Sequence, residues 1–131
     1  MTERAYVMDA SALLAVLHAE PGWEVAAALL PESVMSAVNW SEVGQKVRRM
    51  GESIGRLRSD MEGLGLSVTP FDQDDADDAA RLWAVTRSAG LSLGDRACLA
   101  LARRRTVPAV TADRSWTALT KAVGTTVKVI R

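Results

Sequence analysis

Short apolar runs, each stopping at a polar or turn-forming residue and each followed by a helical stretch, recur along this 131-residue chain. That alternation constrains the fold more than any other feature, because strands separated by helices are joined most simply as a parallel sheet covered on both faces. The first run, Ala5-Tyr6-Val7-Met8, ends abruptly at Asp9 and reads as a buried strand. Ser33 to Ser36, Leu66 to Pro70, Pro108 to Thr111 and the β-branched Thr126 to Ile130 complete the strand set. Helices are predicted over 11–19, 23–30, 38–50, 53–62, 72–88, 95–105 and 115–123, with Pro21-Gly22, Pro31, Gly51, Gly63-Leu64-Gly65 and Gly90 as punctuation. The expected fold is an α/β three-layer α/β/α sandwich with a short, mainly parallel central sheet. It is expected to form a single domain over 1–131, and no repeat or linker interrupts it.

Lys plus Arg equal Asp plus Glu at 16 each, which argues against a protein held on nucleic acid by bulk positive charge alone. Local basic patches stay compatible with a neutral whole. A lone cysteine, Cys98, leaves no internal disulfide and no cysteine-based metal site. Met1-Thr2-Glu3-Arg4 opens no signal-peptide pattern, and apolar stretches are too short for a membrane span. A cytoplasmic protein with no membrane partner is the expectation.

Four acids carry the chemistry. Asp9 and Asp113 follow strands, where open parallel sheets bind their ligands, although either could be a helix cap, with Ser115 competing for that role beside Asp113. Asp95 heads a helical face that reads Asp95, Cys98, Leu99 and Ala102, so its carboxylate is expected to point inward. Glu42 lies at the edge of the Val43-Val47-Met50 stripe and, taken alone, reads as a solvated helix acid. Four converging carboxylates would raise one another's pKa values, and Mg²⁺ or Mn²⁺ relieves that strain. Such an ion also activates water and neutralises charge on a scissile phosphate.

Other features have plainer readings. The acids between Asp72 and Asp78 suit the start of a helix dipole, and the only histidine, His18, suits a helix end. Arg48, Arg49, Arg56 and Arg58 form one basic group and Arg103 to Arg105 another; either solvates helix ends or grips phosphates beside the acidic cluster. The four tryptophans read as core or interface anchors.

Asp9-Ala10-Ser11, Ser41-Glu42-Val43, the run from Leu91 through Gly94-Asp95 to Ala100, and Thr111-Ala112-Asp113 resemble, in order and spacing, the acidic motifs of PIN-domain ribonucleases. They are most similar to those of the VapC-type toxins of bacterial toxin–antitoxin pairs. The resemblance implies a PIN-like sandwich, a Mg²⁺- or Mn²⁺-dependent endonucleolytic cut in RNA, a homodimer and inhibition by a small VapB-like antitoxin. It assigns Asp9, Glu42, Asp95 and Asp113 to catalysis and metal binding, with Ser11, Thr111 and Asn39 holding the carboxylates. Where some relatives have a further acid after the fourth, Arg114 and Ser115 stand here, which leaves one or two ions open. Two other classes fit the sheet pattern. One is a phosphate-handling signalling or phosphatase-like domain, against which Ser11 and Asp113 argue; the other is a non-catalytic PIN-like binding module.

Overall fold

A computed structural model describes residues 4–131; Met1, Thr2 and Glu3, which belong to the amino-terminal stretch read above, lie outside the described residues. Five strands, β1 (Tyr6–Met8), β2 (Ser33–Ser36), β3 (Ser67–Thr69), β4 (Ala109–Thr111) and β5 (Val127–Val129), form one parallel sheet in the order β3-β2-β1-β4-β5. The helices are α1 (Ala10–His18), α2 (Trp23–Leu29), α3 (Ala37–Arg49), α4 (Ile54–Gly63), α5 (Gln73–Thr86), α6 (Leu93–Arg105) and α7 (Thr120–Val123). Short 3₁₀ turns occupy Leu30–Glu32, Arg87–Ala89 and Arg114–Leu119. The expected sandwich is therefore present, and its sheet is parallel throughout.

Strand alternation divides the core. Met8, Met35 and Val110 face a layer that includes Leu13, Ala26, Val43 and Leu57 from α1 to α4. Val7, Val34 and Ala109 face the other layer, built from Leu82, Leu99, Trp116 and Val123. Nearly every strand side chain in β1, β2 and β4 is buried, as a doubly covered parallel sheet requires. The helix expected over 115–123 begins instead as a six-residue 3₁₀ segment, because Asp113 caps that tighter turn through the Ser115 amide.

The sheet reverses its winding between β1 and β4, so a crevice opens beyond their carboxyl ends. Two details anchor its surroundings. Gly22 sits at φ +90°, and a Cβ there would run into the Ile130 backbone, which ties the α1–α2 turn to the last strand. On the far face Arg104 joins α6 to α5 through Asp75 and Asp78. No single helix among the described residues is long and apolar enough to cross a membrane. Ala10–His18 and Trp23–Glu32 together have the composition of a broken span bent by 114°, but α1 buries Ala12, Leu13 and Ala15 in the core.

Candidate active site

Asp9 follows β1 directly, and its amide donates to the Val110 carbonyl at 2.8 Å, extending the ladder by one residue. The register pairs Met8 with Val110, so the residue beside Asp9 on β4 is Thr111. Both flanking hydroxyls turn to one oxygen of Asp9: Ser11 Oγ donates to Oδ2 at 2.6 Å and Thr111 Oγ1 donates to it at 3.0 Å. Those hydroxyls in turn accept from the backbone amides of Ala112 at 3.0 Å and Asp113 at 3.1 Å. Each hydroxyl has one proton, already given to Asp9, so the 3.2 Å approach of Ser11 to Thr111 is a contact within the network. Every donor in this relay points toward the carboxylate.

Asp9 is only 4 % exposed. Burial is the largest influence on it and pushes its pKa up to about 6. The Ser11 bond opposes that rise, nearby Asp95 adds to it, Thr111 opposes it and Glu42 adds a smaller push. Burial, more than repulsion among acids, is what strains this site.

The second acid comes from α3, which packs against both α1 and α6. Ser36 caps α3 by accepting from the Val38 amide at 3.2 Å, and this fixes the helical phase that brings Asn39 inward and Glu42 to the cleft. Asn39 is fully buried and donates both amide protons, to Glu42 Oε1 at 3.0 Å and to the Gly94 carbonyl at 2.9 Å. Two acceptors on one side fix the orientation of that amide, while its Oδ1 is buried without a partner. Glu42 has its pKa raised by burial, opposed by Asn39 and supplemented by Asp95.

Glu42 rests against the first turn of α6, where the positive end of the dipole favours a carboxylate. A Cβ on Gly94 would fall on the Glu42 carboxylate, 2.5 Å from Cδ and 2.6 Å from Oε2, so any side chain there would have to push that carboxylate aside. The motif around Gly94 points to Asp95 and leaves the glycine without a role. The available signal was a glycine in the first turn of a helix, one residue before an acid.

Asp95 is the third residue of α6 and closes a capping box with Ser92. The Ser92 amide donates to Asp95 Oδ2 at 3.0 Å, and Ser92 Oγ accepts from the Asp95 amide at 3.2 Å. The capping role and a half-buried position replace the inward-pointing carboxylate expected from the apolar stripe.

Asp9, Glu42 and Asp95 line one open cleft of about 350 Å³, together with Ser11, Leu14, Gln45, Lys46 and Arg49. Asp113 is not among its lining residues. It is exposed two residues beyond β4, and its Oδ1 accepts from the Ser115 amide at 2.9 Å and hydroxyl at 2.7 Å. Its link to the cleft is its own amide, which donates to Thr111. Replacing Asp113 with alanine is expected to lower stability by about 1 kcal/mol through loss of the cap, whereas asparagine retains the acceptor and leaves the melt unchanged. Thermal melts of the two variants check this. A larger groove of about 490 Å³, between α3, α4 and β3, has only Arg58 and Glu62 as charged lining, and these pair with each other.

Each of the three cleft acids presents one oxygen held by a protein donor and one free of such bonds among the described residues: Asp9 Oδ1, Glu42 Oε2 and Asp95 Oδ1. Hard, pre-oriented oxygens of this kind suit Mg²⁺ or Mn²⁺. No three acidic, histidine or cysteine side chains among the described residues stand at the spacing of a closed cage.

The PIN-domain family model matches residues 6–122, and the chain belongs to that family. No curated protein sequence matches it. Among solved structures it is similar to a toxin–antitoxin complex from Klebsiella pneumoniae, with 18% identity, a TM-score of 0.73 and coverage of 96% of this chain and 98% of the other. It is also similar to FitAcB from Neisseria gonorrhoeae (21%, TM-score 0.70, 95% and 97% covered). A third likeness is to VapBC-5, a toxin–antitoxin family member from Mycobacterium tuberculosis (23%, TM-score 0.57, 97% and 98% covered).

Proposed function

We propose that residues 1–131 act as one PIN-like domain that cuts RNA internally with the help of a divalent ion, Mg²⁺ or Mn²⁺. The observation that carries this reading is Asp9: a buried carboxylate at the sheet's switch point, shared in one cleft with Glu42 and Asp95. An unpaired acid is costly in such a place, and a cation offsets that cost. The three carboxylates would hold the ion, with Ser11 and Thr111 fixing Asp9 and Asn39 fixing Glu42. An ion held there supplies acidity to water and charge neutralisation to a phosphate. The chain's own part is to orient the acids, to present the cleft to solvent and to admit a phosphodiester. His18, the one histidine, is half-buried at the end of α1 and does not line the cleft, so no imidazole serves this site. Asp113 contributes from the rim, through the amide that steadies Thr111.

The similar structures come from toxin–antitoxin assemblies, which favours a toxin role with a small VapB-like antitoxin as partner. Exposed apolar side chains that such a partner, or a second copy, could cover include Trp83, 53% exposed, and Val85 on α5 and Leu93 at the start of α6. The phosphatase-like and non-catalytic readings each make a different prediction under one experiment. With Mg²⁺, the purified protein is expected to cut RNA internally, to stop on addition of EDTA and to resume when Mg²⁺ is restored; Asp95→Asn is expected to be inactive. Stable phosphorylation of Asp9 by acetyl phosphate, or RNA binding without turnover, would replace this reading.

A further inference from the structure

Of the seven arginines grouped by the sequence, four are already engaged, and two more, Arg103 and Arg105, do not line the cleft. Arg56 and Arg58 pair with Asp60 and Glu62 on α4, at 4.0 and 3.0 Å, and Arg104 is held by Asp75 and Asp78. Arg48 turns away from the cleft toward the Glu52 carbonyl, at 3.4 Å. Lys46 and Arg49 differ. Both are exposed, neither has a salt-bridge partner among the described residues, and both line the cleft that holds Asp9, Glu42 and Asp95.

The helix explains the arrangement. Positions 42, 46 and 49 lie on one face of α3, so Lys46 stands about 6 Å and Arg49 about 10 Å along the axis from Glu42. The cleft is therefore polar along its length, with carboxylates at one end and two free cations at the other. A phosphodiester drawn toward the acids by a cation would carry its neighbouring phosphates along this face, where Lys46 meets a phosphate as a point charge and Arg49 as a fork of donors.

We propose that Lys46 and Arg49 form a subsite for the internucleotide phosphates next to the one being cut, so that the strand lies along α3 in one direction. This rests on the nuclease reading for its purpose, but its test does not depend on turnover. The probe is a labelled single-stranded oligonucleotide of about 12 nucleotides, as RNA and as DNA, binding to protein in an Asp9→Asn background. Anisotropy is read across a salt series.

Adding Lys46→Ala and Arg49→Ala together is expected to weaken binding at least about tenfold at low salt. The log–log salt slope should also fall by about 1.4, since each phosphate contact on a single strand contributes about 0.7. Arg56→Ala with Arg58→Ala removes the same charge outside the cleft and should change neither quantity. Equal losses with RNA and DNA mark the ligand as phosphate. A loss confined to RNA would point to the 2′-hydroxyl and overturn the assignment. So would an unchanged slope, an equal drop in the Arg56/Arg58 control, or no binding of either strand, the last leaving the two cations to a protein partner. If the subsite behaves as stated while wild-type protein cuts nothing in Mg²⁺, the nuclease reading fails and the subsite stands.

Discussion

Asp9→Asn is expected to abolish RNA cleavage and, without metal, to make the protein more stable. The loss of activity should reach about 10³-fold, the scale on which removal of a group acting on the transition state is felt. The gain in stability follows from the sign of the pKa shift. Asp9 ionises near its ordinary value of 3.8 when unfolded and at about 6 when folded, so the folded state binds more protons between those values. Stability contributed by this group is therefore full below the unfolded pKa, falls as pH rises through 6, and stays low above it. The shift corresponds to about 3 kcal/mol. Asparagine keeps an acceptor for Ser11 and Thr111 and carries no charge to bury. Metal-free Asp9→Asn should thus melt about 10 °C above wild type at pH 8, with the difference closing toward pH 4. Adding Mg²⁺ should raise the wild-type melt and leave the variant unmoved. A difference that is the same at both pH values would show that burial of charge is not what strains Asp9.

Gly94→Ala is expected to separate activity from folding in the opposite way to a core mutation. Gly94 is helical with an ordinary backbone conformation, so alanine improves helix propensity by about 1 kcal/mol. The added methyl occupies the place of the Glu42 carboxylate, which is the flexible end of a side chain and can move aside. Its movement breaks the Asn39 bond that aims it. Cleavage should fall about 10²-fold, as misplacement of a site group by about 1 Å does, while the melting temperature holds or rises. In a Glu42→Ala background the same change should have no further effect on cleavage, because the group it displaces is gone. Additive losses would mean that Gly94 acts through something other than Glu42.

The sheet was legible in the sequence because each strand is an apolar run cut off by a turn or an acid, and all five runs are strands in the structure. Most helix ends moved by a residue or two, as at α6, which starts at Leu93 because Ser92 caps it, whereas the last helix starts only at Thr120, behind a 3₁₀ segment. Asp9 was legible for the same reason as β1: a charged residue that ends a buried run can only sit at the strand's mouth. Three other features of the site were not legible. The cap open to Asp113 was legible, but not that it would hold the carboxylate outside the cleft, nor that Asp95 would close a capping box, because sequence spacing does not say which way a capping carboxylate turns. Gly94 matters because a side chain from another helix fills its missing Cβ, a contact 52 positions away that no local pattern records. The basic residues were grouped by proximity along the chain, whereas the helical phase of α3 turns Arg49 into the cleft and Arg48 away from it.

The most direct test of a carboxylate-held ion acting on RNA is the chemistry of the cut itself. A single RNA oligonucleotide that the protein cleaves at one place should be remade with a 2′-deoxy nucleotide on the 5′ side of that bond. Attack by water does not use the 2′-hydroxyl, so the substituted strand should still be cut, with Mg²⁺ present and not with EDTA, and the products should carry a simple phosphate at one new end and a hydroxyl at the other. Loss of cleavage on removing the 2′-hydroxyl, or a 2′,3′-cyclic phosphate on the product, would contradict the account: the nucleophile would then be the RNA's own, and Asp9, Glu42 and Asp95 would need another role.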